Sequence, residues 1–280
     1  MSAPAVCTPL HARSEFEFRV DMAADLKDED FREALAAGDI GFLHSFTTGS
    51  AVDGPGVRLV AWTAACMFRC RFCHNPDAWT LANGMPVSVA RATEEIRKYA
   101  HGLKVMKGGI TLSGGEPLVQ HRFAAKLFRA AKTLEVHTAI ETNGYNGAKL
   151  SDAEVEDVDL VILDMKAFTP AQHARVTGIE DNAPVLAFAR RLAALKRPMW
   201  LRYVLVPGLT DEYDEIEGLA DFAARLGVVE RVEVLPFHQM GRYKWQRLGL
   251  EYHLADAEPP SADAVAETVG IFRRSGLAAF

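Results

Sequence analysis

The chain has 280 residues, 49% hydrophobic and 24% charged, enough to bury a full core and too apolar for a disordered or fibrous class. Thirty-one basic against 37 acidic residues leave a net charge of −6, an ordinary solubility balance without the basic stripe of a nucleic-acid binder. No uncharged run approaches the ~20 residues of a membrane span, and the N-terminus lacks the basic start and apolar stretch of a secretory signal, so a cytoplasmic protein is expected.

Residues 1–40 read as a flexible, solvated extension: a mixed polar stretch, an acidic run from Asp21 to Glu33, and a short helix over 29–37 stopped by Gly38. A partner-binding tail is the sharper alternative. From residue 41 to the C-terminus, β-rich runs alternate with helical patterns. Six strands are expected, at Val57–Ala64, Gly109–Leu112, His137–Glu141, Leu160–Asp164, Met199–Val206 and Arg231–Leu235. Between them, Pro117 opens a helix with Phe123, Leu127, Phe128 and Ala131 on one face. Ser151 and Glu154 have capping-box spacing. Asp211 starts a helix that Gly227 closes, and Ser261 caps a final one. This alternation predicts an α/β fold, a partial (β/α)6 barrel with a parallel sheet and outer helices. The stretch Met240 to Pro260 is long for a connection and is expected to dock a partner or close over a site.

Five of the six strands run into chemically distinctive residues as they finish: Cys66; Ser113-Gly-Gly-Glu116; Glu141-Thr-Asn-Gly144; Asp164 and Lys166; and Pro236-Phe-His238. Ligands of parallel α/β folds sit at the carboxyl ends of strands, so these groups are expected on one rim. Of four cysteines, Cys7 stands apart while Cys66, Cys70 and Cys73 fall within eight residues. Clustered thiols in a reducing setting bind metal or do redox chemistry more often than they staple a fold. Soft donors select zinc or iron–sulfur. A closed zinc site needs four ligands, and His74, adjacent to Cys73, is a strained fourth. A four-iron cluster on three thiolates leaves one iron open.

Cys66-x3-Cys70-x2-Cys73, with Phe72 before the last cysteine, resembles the signature of the radical S-adenosylmethionine enzymes. Val52-Asp-Gly-Pro-Gly56, Cys73-His-Asn75, Ser113-Gly-Gly-Glu116, Thr142-Asn-Gly144, Leu163-Asp-Met-Lys166, Arg202-Tyr-Val204 and Leu235-Pro-Phe-His238 narrow the likeness to the glycyl-radical-enzyme activating family, from about residue 41 onward. The resemblance implies a [4Fe–4S] cluster on Cys66, Cys70 and Cys73, with S-adenosylmethionine chelated at the open iron and cleaved by one electron to a 5′-deoxyadenosyl radical. That radical would remove an α-hydrogen from a glycine of a partner enzyme, pyruvate formate-lyase. It implies a flavodoxin or ferredoxin as electron donor and a monomer. By the same resemblance Phe72, Cys73 and His74 touch the adenosyl part, Gly114, Gly115 and Glu116 meet the methionyl amino group, and Asp164, Met165, Lys166 and His238 complete the cofactor contacts. Asp53 and Gly54 belong to a loop facing the substrate peptide. A sodium or potassium ion is implied among Glu141, Thr142 and Asp164, although the family has aspartate where this chain has Glu141. Another glycyl-radical enzyme, a small-molecule substrate and a non-catalytic zinc module are the competing readings.

Overall fold

The computed structural model describes residues 28–280. In chain order the strands are β1 (Ile40–Ser50), β2 (Arg58–Thr63), β3 (Met85–Ser88), β4 (Gly109–Gly114), β5 (His137–Thr142), β6 (Leu160–Asp164), β7 (Met199–Leu205) and β8 (Val229–Pro236). They form one open sheet in the order β3-β1-β2-β4-β5-β6-β7-β8. From β2 to β8 every neighbouring pair is parallel, whereas β1 pairs antiparallel with both β2 and β3. The six expected strands are therefore the parallel part, a (β/α)6 partial barrel, and β1 with β3 extends one edge.

The parallel strands are apolar on both faces because helices cover one side and the barrel interior the other. All of Leu160 to Leu163 in β6 are buried. The crossover helices are α2 (Val89–Val105), α3 (His121–Thr133), α4 (Asp152–Glu156), α5 (Pro170–Thr177), α6 (Ala183–Ala194) and α7 (Tyr213–Leu226). Phe123, Leu127, Phe128 and Ala131 of α3 face the core as expected, one turn after Pro117, which first makes a short 3-10 turn. Ser151 and Glu154 form the full capping box of α4. Gly227, at φ +68°, ends α7 in the left-handed region. That helix begins at Tyr213 rather than Asp211; the Asp211 carboxylate accepts the Gly208 N–H at 2.9 Å and so closes the preceding turn.

Two further helices follow β8: α8 (Arg242–Arg247), and α9 (Ala262–Arg274), capped by Ser261. At the other end α1 (Asp28–Ala37) precedes β1, with Phe31 edge-on to Phe42 at 6.3 Å. Gly38 turns the chain at φ +80°, where a Cβ would lie 2.4 Å from the Cβ of Arg122. Residues 28–40 thus pack on the sheet, and that part of the expected extension is not a free tail. The remainder, with Cys7, lies outside the described residues.

Candidate functional site

A cavity of about 460 Å³ opens at the carboxyl ends of the parallel strands. This is within the range of small-molecule sites. Cys66, Cys70 and Cys73 all line it. Their loop leaves β2 and is held at three places. Cys66 donates its N–H to the Trp79 carbonyl at 3.2 Å; Arg69 and Arg71 donate theirs to Thr177 and Val176 at the end of α5, at 2.8 and 3.0 Å; the Cys73 carbonyl accepts the Trp245 indole N–H at 2.8 Å. Burial pushes the Cys66 thiol up to about 12, with Glu116 adding to the rise, and raises Cys70 and Cys73 as well. Thiolates in such a place need a compensating metal charge.

Among the described residues no group of three or more His, Cys, Asp or Glu is gathered tightly enough to hold a single metal ion. Thiolates of a four-iron cluster each take a different iron. Three thiols on one cavity wall, with room beside them, fit that group.

Around the thiols stand Phe72, His74 and His238. The two imidazoles stack at 4.1 Å, and His74 Nε2 lies 3.2 Å from the His238 carbonyl. Burial, then the neighbouring His238, lowers the His74 pKa and keeps that ring neutral at neutral pH. Lys166 sits 5.6 Å above the Phe72 ring and 3.1 Å from Asp164. Burial opposes its charge, but Asp164 and Cys70 outweigh that and hold the ammonium protonated. Burial raises Asp164 despite Lys166.

Gly114 and Gly115 also line the cavity. Their lack of a side chain also serves a contact within the protein. A Cβ on Gly114, at φ +116°, would meet the Thr63 nitrogen at 2.3 Å, and one on Gly115 would meet the Ala65 carbonyl at 2.3 Å. The glycines let the β4 loop lie against the backbone that leads into Cys66, where Gly115 and Glu116 donate their N–H groups to Thr63 and Ala65 at 2.8 Å each.

Three expected contact residues do not line the cavity. Glu116 turns inward, fully buried, and accepts from the Leu118 and Asn143 N–H groups and the Thr142 hydroxyl at 2.9, 2.8 and 2.6 Å. It fastens the β4 loop to the end of β5, and burial raises its carboxyl to about 7. Met165 is 1% exposed in the core, its N–H donated to the Arg202 carbonyl, because strand alternation sends it away from Asp164 and Lys166. Gly54, at φ +129°, stands beside the Arg58 side chain, while Asp53 alone of that pair reaches the cavity.

Glu141, Thr142 and Asp164 are brought together at the ends of β5 and β6. The Thr142 hydroxyl is engaged with Glu116, and Asp164 pairs with Lys166 through one oxygen. Glu141 accepts from the Ser113 hydroxyl at 2.5 Å and pairs with the Arg202 guanidinium, which offsets the burial penalty and lowers its pKa. Arg202 also bonds Glu233 at 2.7 Å and the Val52 carbonyl, and lies 4.0 Å from Asp53. Arg202 is thus the centre of a buried ionic knot tying β5, β7, β8 and the Val52–Asp53 loop. The sequence reading did not place it in the site, although a charge amid the apolar run Met199–Val206 is a signal. Asn143, within the Glu141–Gly144 segment expected on the rim, lines the cavity, as does Trp79, which carried no separate sequence signal; the Asn143 amide lies 3.5 Å from the Met67 sulfur and 4.0 Å from Cys66 Sγ.

Residues 60–223 match the family described as the radical SAM superfamily. The chain is 41% identical over 232 residues to the pyruvate formate-lyase-activating enzyme of Staphylococcus aureus (strain N315), covering 80% of this chain and 92% of that protein. A solved domain of a pyruvate-formate lyase-activating enzyme from Bacteroides vulgatus ATCC 8482 superposes with a TM-score of 0.52 at 24% identity, over 62% of this chain and 98% of that one. SuiB from Streptococcus suis bound to S-adenosylmethionine superposes at 0.57 and 19% identity, over 81% of this chain and 50% of that one. These two structures share the fold. By the family match and the extent of the 41% identity, the chain belongs to the radical S-adenosylmethionine superfamily and, within it, to the family of pyruvate formate-lyase-activating enzymes.

Proposed function

We propose that the chain installs a radical on a glycine of a protein partner, and that this partner is a pyruvate formate-lyase. The observation that carries the reading is the convergence of three thiols, a stacked histidine pair and a buried ion-paired lysine on one cavity at the strand ends. When bound, a reduced [4Fe–4S] cluster with S-adenosylmethionine supplies one-electron cleavage of a carbon–sulfur bond and, through it, removal of a glycine α-hydrogen. Cys66, Cys70 and Cys73 hold the cluster. Phe72, His74 and His238 offer flat surfaces for the adenosyl group, and neutral His74 adds no repulsion to a sulfonium. The Gly114–Gly115 backbone and Asp164 offer acceptors to the methionyl ammonium, and Lys166 offers a donor to its carboxylate. Asp53, on the loop tied down by Arg202, faces the cavity where a substrate glycine enters.

The finer cofactor reading adds a sodium or potassium ion at Glu141, Thr142 and Asp164. The excess of buried carboxyls over Lys166 and Arg202 supports it. Arg202 supplies part of the same charge, so the ion rests chiefly on Asp164. The reading also includes a flavodoxin or ferredoxin as electron donor, a monomer and a cytoplasmic setting; Cys66, Cys70 and Cys73 are free thiols, which suits a reducing compartment. No helix among the described residues is long and apolar enough to cross a membrane.

The test is anaerobic incubation of the reconstituted chain with reductant, S-adenosylmethionine and a purified pyruvate formate-lyase, followed by electron paramagnetic resonance. A glycine-centred doublet is expected. Release of 5′-deoxyadenosine with that partner silent, and a signal from a different glycyl-radical enzyme, would refute the partner assignment.

A further inference from the structure

Of the three anchors on the cysteine loop, the one at Cys73 comes from far along the chain and from a segment the cofactor reading leaves without a role. After His238 the chain makes a 3-10 turn, Gln239–Gly241, and then α8. Instead of standing off as a lid, this segment packs onto residues 73–79. Trp245 is 5% exposed, and its ring stands edge-on to Trp79 at 5.0 Å. Its indole N–H donates to the Cys73 carbonyl at 2.8 Å, across 172 residues of sequence. One residue earlier, Lys244 donates to Asn75 Oδ1 at 2.8 Å and pairs with Asp77 at 3.0 Å. Asp77 in turn lies 3.2 Å from His44 of β1. Gly241 lies so close that a Cβ there would sit 2.7 Å from the His74 Cα.

These contacts grip the loop on both sides of His74, at the third thiol and at the short turn that follows. Both side chains bond the backbone carbonyl or the loop side chains rather than the cysteine sulfur, so each acts through the loop it holds. We propose that Lys244 and Trp245 are positioning residues: α8 is a clasp that fixes Cys73, and with it one iron of the cluster, while keeping the His74 ring stacked on His238. The inference rests on the cluster assignment above. It gives residues 239–247 a task in retaining the cluster rather than in docking or closure. Groups that orient a metal ligand from behind are worth about tenfold or more in metal affinity when removed.

The test uses the full chain with its cluster reconstituted anaerobically, and reads the rate at which a ferrous chelator, bathophenanthroline disulfonate, strips iron. Trp245→Phe keeps the packed ring and deletes the N–H; Lys244→Met keeps the stem and deletes the charge; Lys244→Arg restores a cation. Iron loss about tenfold faster is expected in Trp245→Phe and Lys244→Met, with near wild-type loss in Lys244→Arg and an altered spectrum of the reduced cluster in the first two. Melting of the cluster-free proteins controls for a general loss of fold, and half-buried Lys244 keeps the test open if Trp245→Phe folds poorly. Wild-type rates in both variants, or acceleration that follows the melting temperature and persists in Lys244→Arg, would overturn the clasp while leaving the cluster reading intact. A wild-type chain that takes up no iron–sulfur cluster would overturn both.

Discussion

The carboxyl of Glu116 gives the sharpest prediction about stability, because it is fully buried with no basic partner bonded to it. Burial carries it from an ordinary 4.5 to about 7, against the pull of Thr142, Leu118 and Asn143. The folded protein therefore holds one more proton than the unfolded chain between pH 4.5 and about 7. Stability from this group is complete below pH 4.5 and is lost as pH rises through about 7. At ~1.4 kcal/mol per pH unit, the loss across the window amounts to about 3 kcal/mol. Glu116→Gln keeps the shape and the acceptor facing Leu118 and Thr142, and cannot ionise. Its amide faces the Asn143 N–H, which imposes a pH-independent penalty. Denaturant unfolding of cluster-free protein at pH 5 and pH 8 separates these effects. The wild type should lose about 2.5 kcal/mol relative to Glu116→Gln between the two conditions, since part of the window lies below pH 5. Parallel pH profiles for the two proteins would refute the reasoning.

Gly115→Ala drives a Cβ into the Ala65 carbonyl at 2.3 Å and should cost ~1–3 kcal/mol, whereas Gly102→Ala in α2, where only Met106 Cε comes within 3.8 Å, should be neutral or stabilising in the same thermal melts. Equal effects at the two positions would contradict the close-approach role given to Gly115. If the monovalent ion shares its task with Arg202, S-adenosylmethionine should bind only severalfold tighter in potassium than in choline. The preference should widen in Glu141→Asp, whose shorter side chain draws back from Arg202; calorimetry showing no preference in either protein would remove the ion from the account.

The parallel half of the sheet was legible because its strands are long apolar runs punctuated by capping residues and glycines, and β6 falls on its expected bounds, Leu160–Asp164. β1 was hidden for a physical reason. Its sequence, from Ile40 to Ser50, is rich in His, Ser, Thr and Gly, and only its first half is buried, so it reads as a loop until β2 and β3 pair with it. β3 is four residues long and contains Pro86, which suits its edge position and gives no periodicity. In the site, residues at strand ends were legible because strand direction alone fixes their rim. The inward turn of Glu116 and Met165 was not, since it depends on how one loop lies on the next. The same holds for α8. Nothing local tells a short helix that docks a partner from one that seats an indole on a carbonyl 172 residues away.

Quantifying iron and acid-labile sulfide in the anaerobically reconstituted chain and in the Cys66→Ala, Cys70→Ala and Cys73→Ala variants tests the central claim most directly. The account predicts about four of each per wild-type chain, failure to retain that cluster in each of the three variants, and no change in Cys7→Ala. One zinc and no iron in the wild type, or an intact cluster in any of the three variants, would contradict it.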